Sequence, residues 1–337
     1  MIVDAHNHLL MSHGGWDGAD PRALPLDAIC GRLQRGGVSA IGLIVGGDRA
    51  FPRTDAPSPW DGTLGALAQF WHGASATNDG PFVLRTAADI DRASPDRPGF
   101  LLGIEGVGPC FETSLGDPLA ALQVLVQLGV RSLQLLGGEP RPIFEPRPTT
   151  EAPLHLRGMG RELIVEANRL GLLIDLAHMN GDEPAFAEII DVSASPPIAS
   201  HHSCRAVNGC AEALSDDATR TLAKAGGVVG THLGSHWLSG EDRQGTIDDL
   251  VSHIEHIVDL VGVDFAGLGT DHIDARAVPM DLPDYLFMAG FDGPEDSGMI
   301  DEALAEHGFG EADRRKILGE NVLRVWRGAL GRGAAAR

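Results

Sequence analysis

The feature that most constrains the fold of this 337-residue chain is a repeated alternation of short apolar runs with longer segments of helical periodicity. Because strands that alternate with helices are joined by crossover connections, this order predicts a parallel sheet. Strands buried on both faces have nearly continuous apolar sequences. Eight runs fit this description, at residues 1–4, 40–45, 100–105, 131–136, 172–176, 197–200, 227–230 and 265–268.

Helical segments are predicted between these strands, and a further helix at 311–330 closes the chain. The intervening helices are expected at residues 27–35, 63–76, 118–128, 160–170, 184–192, 215–225 and 247–261. Gly36, Gly129, Gly171 and Gly262 follow four of them and suit a left-handed C-cap. Eight strands with crossover helices favour an α/β fold of the (β/α)₈ TIM barrel type over an open doubly wound sheet. The absence of a GxGxxG loop after the first strand further disfavours a dinucleotide-binding sheet.

The alternation indicates a single barrel domain over residues 1–330. Two long segments, near 136–158 and 278–297, are rich in proline and charged residues and interrupt the pattern. Loops of this length are uncommon unless they are functional, so we expect active-site walls or a lid, with a simple insertion or an interface loop as the alternatives. The Ala/Gly/Arg-rich residues 331–337 are expected to be disordered.

The formal charge of −21 argues against binding to nucleic acid or to anionic lipid. The four cysteines match no common zinc or redox motif, and no run of about 18 apolar residues or basic leader is present. These features predict a cytoplasmic protein that has no membrane anchor and acts on a small molecule. A homodimer is the default expectation, because dimers are the commonest soluble oligomers.

Polar residues gather where the predicted strands end, which is where the active site of such a barrel lies. The first strand runs into the sequence DAHNH, and its period of two points His6 and His8 to the same side. Two imidazoles placed in this way can bind one metal ion. Glu105 ends the third strand in an apolar setting, where a carboxylate is costly to bury without a cation.

Later strand ends continue the pattern with His178, His201 and Asp271. A single buried histidine at a strand end is more often structural than a ligand, but the joint occurrence favours a metal centre. Nitrogen and oxygen ligands without thiolates suit Zn²⁺, Mn²⁺ or Fe²⁺, and a glutamate between two histidine pairs could bridge two ions. Such a site lowers the pKa of a water molecule toward ~7, and Asp271 could move its proton.

The same segments carry a resemblance to a known family. They are DAHNH at 4–8, GIEG at 103–106, NRLGLLIDLAH at 168–178, ASH at 199–201, GLGTD at 267–271 and GENVLRV at 319–325. In order and spacing they are similar to the membrane (renal) dipeptidase family, metallopeptidases of the amidohydrolase superfamily. The resemblance implies a binuclear zinc barrel that hydrolyses dipeptides. It also implies that His6 binds the first metal, Glu105 bridges both, His178 and His201 bind the second, and Asp271 is the general acid/base.

Three departures from the family pattern bear on the metal and the substrate. His8 stands where the family has aspartate; we expect it to bind metal, but it makes the site more positive by about one charge unit. A family histidine that polarises the substrate carbonyl corresponds to Gly137, and a family arginine that holds the substrate carboxylate falls near Glu212. His155, Arg205 and His232 are candidate replacements that could contact substrate.

The sequence therefore predicts a metal-dependent hydrolase of dipeptidase type, which cleaves an amide bond of a dipeptide or an N-acyl amino acid. Two alternatives stay open. Gly137 and Glu212 favour the same metal centre acting on a non-peptide lactone, lactam or cyclic amide. A non-catalytic metal-binding relative is the other, although such a protein would not need Asp271.

Overall fold

The computed structural model describes residues 1–10, 26–48, 56–76, 82–137, 142–146, 149, 152–240, 243–273 and 286–335. The two predicted insertions fall partly outside this range. Residues 138–141, 147–148 and 150–151 of the first, and residues 278–285 of the second, lie outside the described residues. Among the described residues, no helix is both long enough and apolar enough to cross a membrane.

The strands form one parallel sheet that curves into a barrel. Its hydrogen-bonded order is β1-β2-β4-β5-β6-β7-β8-β9, with the short β3 beside β4. The eight strands of the barrel confirm the predicted fold. The strands are β1 Ile2–Asn7, β2 Val38–Gly47, β3 Phe82–Val83, β4 Gly99–Glu105, β5 Val130–Gln134, β6 Leu173–Asp175, β7 Ile198–His202, β8 Val228–Thr231 and β9 Ala266–Leu268.

The barrel closes where the segment after β9 meets the end of β1. The Asp271 backbone N–H donates to the His6 carbonyl over 2.9 Å, and the His8 N–H donates to the His272 carbonyl over 3.0 Å. Asn7 and His272 form an isolated parallel bridge between these bonds. This closure fixes the first and the last strand ends beside each other.

Helices cover the outside of the barrel. Those of nine or more residues are α1 Leu26–Arg35, α2 Pro59–Ala76, α5 Pro118–Gln127, α6 Gly158–Leu170, α7 Pro184–Val192, α9 Asp216–Lys224, α11 Ile247–Val261, α12 Gly298–Glu306 and α14 Asn321–Ala335. Short helices lie between them: α3 Ala87–Ile90, α4 Gly108–Phe111, α8 Arg205–Asn208, α10 Ser235–Ser239 and α13 Glu311–Arg315, with a π-helical turn at Lys316–Glu320.

The predicted glycine caps were right in part. Gly171 adopts the left-handed conformation after α6, with φ 76°. After α1 the left-handed residue is Gly37, at φ 69°, rather than Gly36. A side chain at Gly36 would collide with the backbone of Pro294, so that glycine permits a close approach instead.

Apolar side chains pack in two layers. The larger cluster lies between the strands and the surrounding helices. The second cluster joins the alternate strand residues Val3, Leu101 and Val228 to Trp326 of α14, which is fully buried. Gly319 precedes α14 and lies against Val3 near the beginning of β1. The last helix therefore packs at the amino end of the barrel, which leaves the carboxyl ends of the strands for the site.

Two features differ from the sequence prediction. The two-residue strand β3 was missed because so short a run carries no periodicity. The last helix was predicted to end at residue 330, whereas α14 continues to Ala335. The backbone of Gly333 approaches the end of α6, where a side chain would come within 2.9 Å of the Leu170 carbonyl oxygen. This packing extends the helix.

Candidate metal centre

Three strand ends bring His6, His8, Glu105 and Asp271 together. The Nε2 atoms of His6 and His8 lie 3.2 Å apart. His8 Nε2 also lies 3.1 Å from Glu105 Oε2 and 2.9 Å from Asp271 Oδ1. Ligand atoms of His6, His8 and Asp271 all lie within 4.8 Å of one another, an arrangement that could hold a metal ion. The expectation that His6 and His8 face the same point is met.

A second group of nitrogen atoms stands on the other side of Glu105. His178 Nε2 lies 3.3 Å from Glu105 Oε1, whereas His6 and His8 approach the other oxygen, Oε2. The His201 ring centre lies 5.1 Å from that of His178. His201 Nε2 is buried and has no hydrogen-bond partner among the described residues. Glu105 thus presents one oxygen atom to His6 and His8 and the other to His178, and the His201 ring lies between those of His6 and His178, 3.9 Å and 5.1 Å from them.

His178 and Asp271 have unusual backbone conformations. Their φ angles are 67° and 51°, and in the described chain they are the residues other than glycine with positive φ. This conformation costs roughly 1–2 kcal/mol in a residue with a Cβ atom. Each residue lies three positions after the last residue of a strand, β6 or β9, and its side chain lines the cavity over the barrel. Strain of this kind is typical of functional positions.

Two buried carboxylates brace the strand ends. Asp4 accepts hydrogen bonds from the Thr270 hydroxyl at 2.6 Å, the Thr270 N–H at 2.8 Å, the Asn7 amide at 2.8 Å and the His6 N–H at 3.2 Å. Asp175 accepts from the backbone N–H groups of Ala177 and Ser200, both at 3.0 Å. Burial raises the pKa of both carboxyl groups, although these hydrogen bonds oppose the shift. Sequence reasoning gave neither residue a role, since both stand inside strand motifs.

The electrostatics of the centre favour a cation. Burial would raise the pKa of Glu105, but hydrogen bonds from His6 and His8 hold it well below the usual value. Burial likewise opposes ionisation of Asp271. The electrostatic interaction of Asp271 with His201 and the hydrogen bonds from His232 and His8 nevertheless hold its pKa well below the usual value. Burial would lower the pKa of His8, yet hydrogen bonds to Asp271 and Glu105 raise it to about 10. Positive charge beside the two carboxylates, here supplied by a protonated His8, therefore stabilises their ionised forms in this buried site.

A cavity of about 270 Å³ opens over these residues. His232 Nε2 lies 3.0 Å from Asp271 Oδ2. His232 Nδ1 accepts the Gly234 N–H at 2.6 Å, so a neutral His232 carries its proton on Nε2 and donates it to Asp271. The ring of Trp237 stacks on His232, with centres 5.6 Å apart. The cavity lining consists of His8, Glu105, His178, His201, His202, His232, Trp237, Asp271 and Ile273.

Of the three candidate substrate residues, the structure brings only His232 to this cavity. His155 is half exposed and lies 2.8 Å from Glu188 of α7. Arg205 pairs with Asp182 at 2.9 Å and donates to the Ala213 carbonyl. Neither lines the described part of the cavity. Their sequence positions near strand ends did not reveal these partners, which belong to other segments.

The structure gives a steric reason for the departure at 137 and shows an exposed side chain at 212. An added Cβ at Gly137 would stand 2.9 Å from the Glu105 carbonyl carbon, so this position has no room for a side chain. The Gly137 N–H donates to Asp48 Oδ2 at 3.1 Å, and the Asp48 N–H donates to the Glu105 carbonyl at 2.8 Å. Glu212 is exposed and accepts a hydrogen bond from the Cys210 thiol at 3.1 Å.

Comparison with known proteins agrees with this architecture. The chain is 29% identical over 230 residues to a dipeptidase of Claviceps purpurea, an alignment that covers 67% of this chain and 50% of that protein. The chain thus spans about half the length of this relative. A solved amidohydrolase from Pseudomonas aeruginosa superposes with a TM-score of 0.78 at 22% identity, covering 98% of this chain and 97% of the other.

A further solved structure has the same fold. It is a metallopeptidase from Rhodobacter sphaeroides liganded with a phosphinate mimic of the dipeptide L-Ala-D-Ala. Its TM-score is 0.73 at 21% identity, with 97% of this chain and 99% of the other covered. The family model for membrane dipeptidases, peptidase family M19, matches residues 1–334. Together with the barrel and the histidine-carboxylate cluster at its mouth, that match means that this chain belongs to the membrane dipeptidase family.

Proposed function

We propose that this chain is a metal-dependent hydrolase that cleaves the amide bond of a dipeptide or an N-acyl amino acid. The main support for the proposal is that the two carboxylate oxygens of Glu105 face different histidines. One of its oxygens faces the pair His6 and His8, and the other faces His178. A carboxylate shared in this way is suited to bridge two cations.

The residues present fit a centre of two divalent ions. His6 and His8 would hold the first ion, His178 and His201 the second, and Glu105 would bridge them. The unpartnered and buried Nε2 atom of His201 supports this assignment, because a buried ring nitrogen normally has a partner. Nitrogen and oxygen donors without thiolate favour zinc, with manganese or iron as alternatives. When bound, such ions lower the pKa of a water molecule and polarise a carbonyl oxygen.

Asp271 is the proposed general acid/base. Its pKa lies below the usual value, so it is ionised at neutral pH and can accept a proton from water. The same carboxyl group can then give that proton to the leaving nitrogen. His232 donates to Oδ2 and orients the carboxylate, while Oδ1 faces the first histidine pair. Trp237 and Ile273 provide apolar walls for the substrate.

The proposed substrate class is supported by the relatives. The Claviceps purpurea protein is named as a dipeptidase, and the Rhodobacter sphaeroides structure holds a dipeptide mimic. A second candidate is hydrolysis of a lactone, lactam or cyclic amide by the same centre. It is favoured by Gly137, which cannot carry the family histidine, and by the acidic Glu212 near the expected carboxylate-binding position.

A substrate panel with purified protein separates these candidates. The protein, supplied with Zn²⁺ or Mn²⁺, is given L,L- and L,D-dipeptides, their C-terminal amides, N-acyl amino acids and small lactones and lactams. Turnover of dipeptides or N-acyl amino acids supports the first candidate. Turnover confined to lactones, lactams or cyclic amides would establish the second.

An Asp271→Asn variant tests the mechanism. We expect a loss of activity of about 10²- to 10⁴-fold, the range typical of general acid–base groups, with metal content retained. Asp264→Asn is the matched control, because Asp264 pairs with Lys316 at the amino side of β9 and lies away from the cavity. Full activity in Asp271→Asn would contradict the assigned role.

A further inference from the structure

We propose that the Ser200 hydroxyl is a positioning group that accepts hydrogen bonds from one histidine of each metal pair. Ser200 Oγ lies 3.3 Å from His6 Nδ1 and 2.9 Å from His201 Nδ1. Ser200 is buried, with an exposed fraction of 1%. The inference rests on the proposed metal centre, and it assigns a shared support to the two halves of that centre.

The two imidazoles present the same edge to Ser200. Their ring centres lie 3.9 Å apart and their planes are inclined by 48°. In each ring Nδ1 faces the hydroxyl, which leaves Nε2 for the centre. His6 Nε2 lies 3.5 Å from Glu105 Oε2, and the Nε2 of His201 has no hydrogen-bond partner in the described chain.

Metal binding through Nε2 determines the tautomer. A neutral imidazole that offers a lone pair at Nε2 carries its proton on Nδ1. Both rings therefore present an N–H to Ser200 Oγ, and a hydroxyl oxygen has two lone pairs with which to accept them. Metal-bound histidines generally need such an acceptor on the other ring nitrogen, but here one oxygen atom serves two ligands.

The backbone fixes the position of this oxygen. The Ser200 N–H donates to the buried Asp175 carboxylate at 3.0 Å. Gly230 and Gly269 approach the Ser200 carbonyl so closely that a side chain at either position would collide with it. These contacts hold the backbone that carries the hydroxyl against the neighbouring segments. Ser200 can then hold the two rings in one relative orientation.

A nucleophilic role for Ser200 is not supported. Ser200 is not among the described residues that line the cavity, so its hydroxyl does not face a substrate there. Its oxygen atom contacts the Nδ1 atoms of the two rings. The hydroxyl therefore acts through His6 and His201.

As a consequence, the affinity of both metal sites depends on one hydroxyl group. Loss of a hydrogen-bond partner of a metal-bound histidine typically lowers metal affinity by about 10- to 100-fold. Because Ser200 supports one ligand of each ion, Ser200→Ala is expected to weaken both binding steps. A residue that supports a single ligand would weaken one step only.

The experiment is a titration of metal-free full-length protein with Zn²⁺ against a competing fluorescent chelator. We expect both dissociation constants to rise by about 10-fold or more in Ser200→Ala. Ser39→Ala is the matched control, since Ser39 is also buried in a barrel strand and its hydroxyl has no partner among the described residues. Both constants should remain within about 2-fold of the parent values in this control. A change in one constant only, or equal changes in both variants, would overturn the proposal.

A second measurement uses the unaltered protein, in case Ser200→Ala does not fold. In zinc-loaded protein with ¹⁵N-labelled histidine, we expect His6 and His201 each to show a slowly exchanging proton on Nδ1. A proton on Nε2 of either ring, or rapid exchange at Nδ1, would refute the shared hydrogen bonds. Unaltered protein that binds no zinc would contradict the metal centre itself, whereas normal zinc binding with unaffected Ser200→Ala would contradict only the role of Ser200.

Discussion

Replacing Gly137 by alanine should damage the metal centre, although Gly137 is not itself a proposed ligand. An added Cβ would stand 2.9 Å from the carbonyl carbon of Glu105 and 3.2 Å from the nitrogen of Gly106. Real Cβ atoms are almost never found so close to backbone atoms, so the strand end that carries Glu105 must shift. The same shift would stretch the hydrogen bond from the Gly137 N–H to Asp48, now 3.1 Å.

The expected cost follows from this crowding. Overpacking by one methyl group in a well-packed interior typically costs about 1–3 kcal/mol. For domains somewhat smaller than this one, each kcal/mol lowers the melting temperature by about 2–4 °C, so a fall of several degrees is expected. Zinc affinity should also fall, because displacement of Glu105 disturbs the bridge between the two histidine pairs. Gly137→His should fail to restore a carbonyl-polarising histidine for the same steric reason.

Thermal unfolding of metal-free protein and a zinc titration provide the assay. Gly158→Ala is the matched control, because nothing lies within 4 Å of the added Cβ and Gly158 begins helix α6. Alanine in a helix is favoured over glycine by about 0.5–1 kcal/mol, so this control should be neutral or stabilising. If Gly137→Ala were as stable as the parent and bound zinc equally well, the reasoning about Glu105 would be refuted.

Two further predictions concern carboxylates that are not proposed ligands. Asp4→Asn replaces a four-fold acceptor by a group with two donor hydrogens and should lower the free energy of unfolding by about 1–3 kcal/mol. Urea unfolding measures this, with the exposed Asp217→Asn as a control expected to change by less than about 0.5 kcal/mol. For Asp249, the hydrogen bond from Arg243 lowers the pKa from 3.8 to about 2. This carboxylate stabilises the protein above pH 3.8, and its contribution is lost as the pH falls through 2. The difference in the free energy of unfolding between Asp249→Asn and the parent should therefore shrink over that range. A constant difference would contradict the assignment.

The barrel and the ligand candidates could be predicted because both depend on local pattern. Apolar runs locate the strands, and the carboxyl ends of parallel strands meet at one end of a barrel. His6, His8, Glu105 and Asp271 therefore converge as expected, and His178 and His201 lie beside them. Their roles as ligands and as acid/base stay predictions.

The supporting contacts could not be predicted, because they join segments far apart in the sequence. Ser200 and His6 are separated by 194 positions, and Asp4 and Thr270 by 266. The same limit applies to two of the substrate candidates. His155 and Arg205 have the right residue types for substrate binding, but Glu188 and Asp182 engage them outside the described cavity lining.

The central claim is a pair of metal ions bridged by Glu105. A crystal of the zinc-loaded protein, measured at the zinc absorption edge, tests it most directly. The account predicts two anomalous peaks, one between His6 and His8 and the other between His178 and His201, with Glu105 between the peaks. A single peak, or peaks away from these side chains, would contradict it.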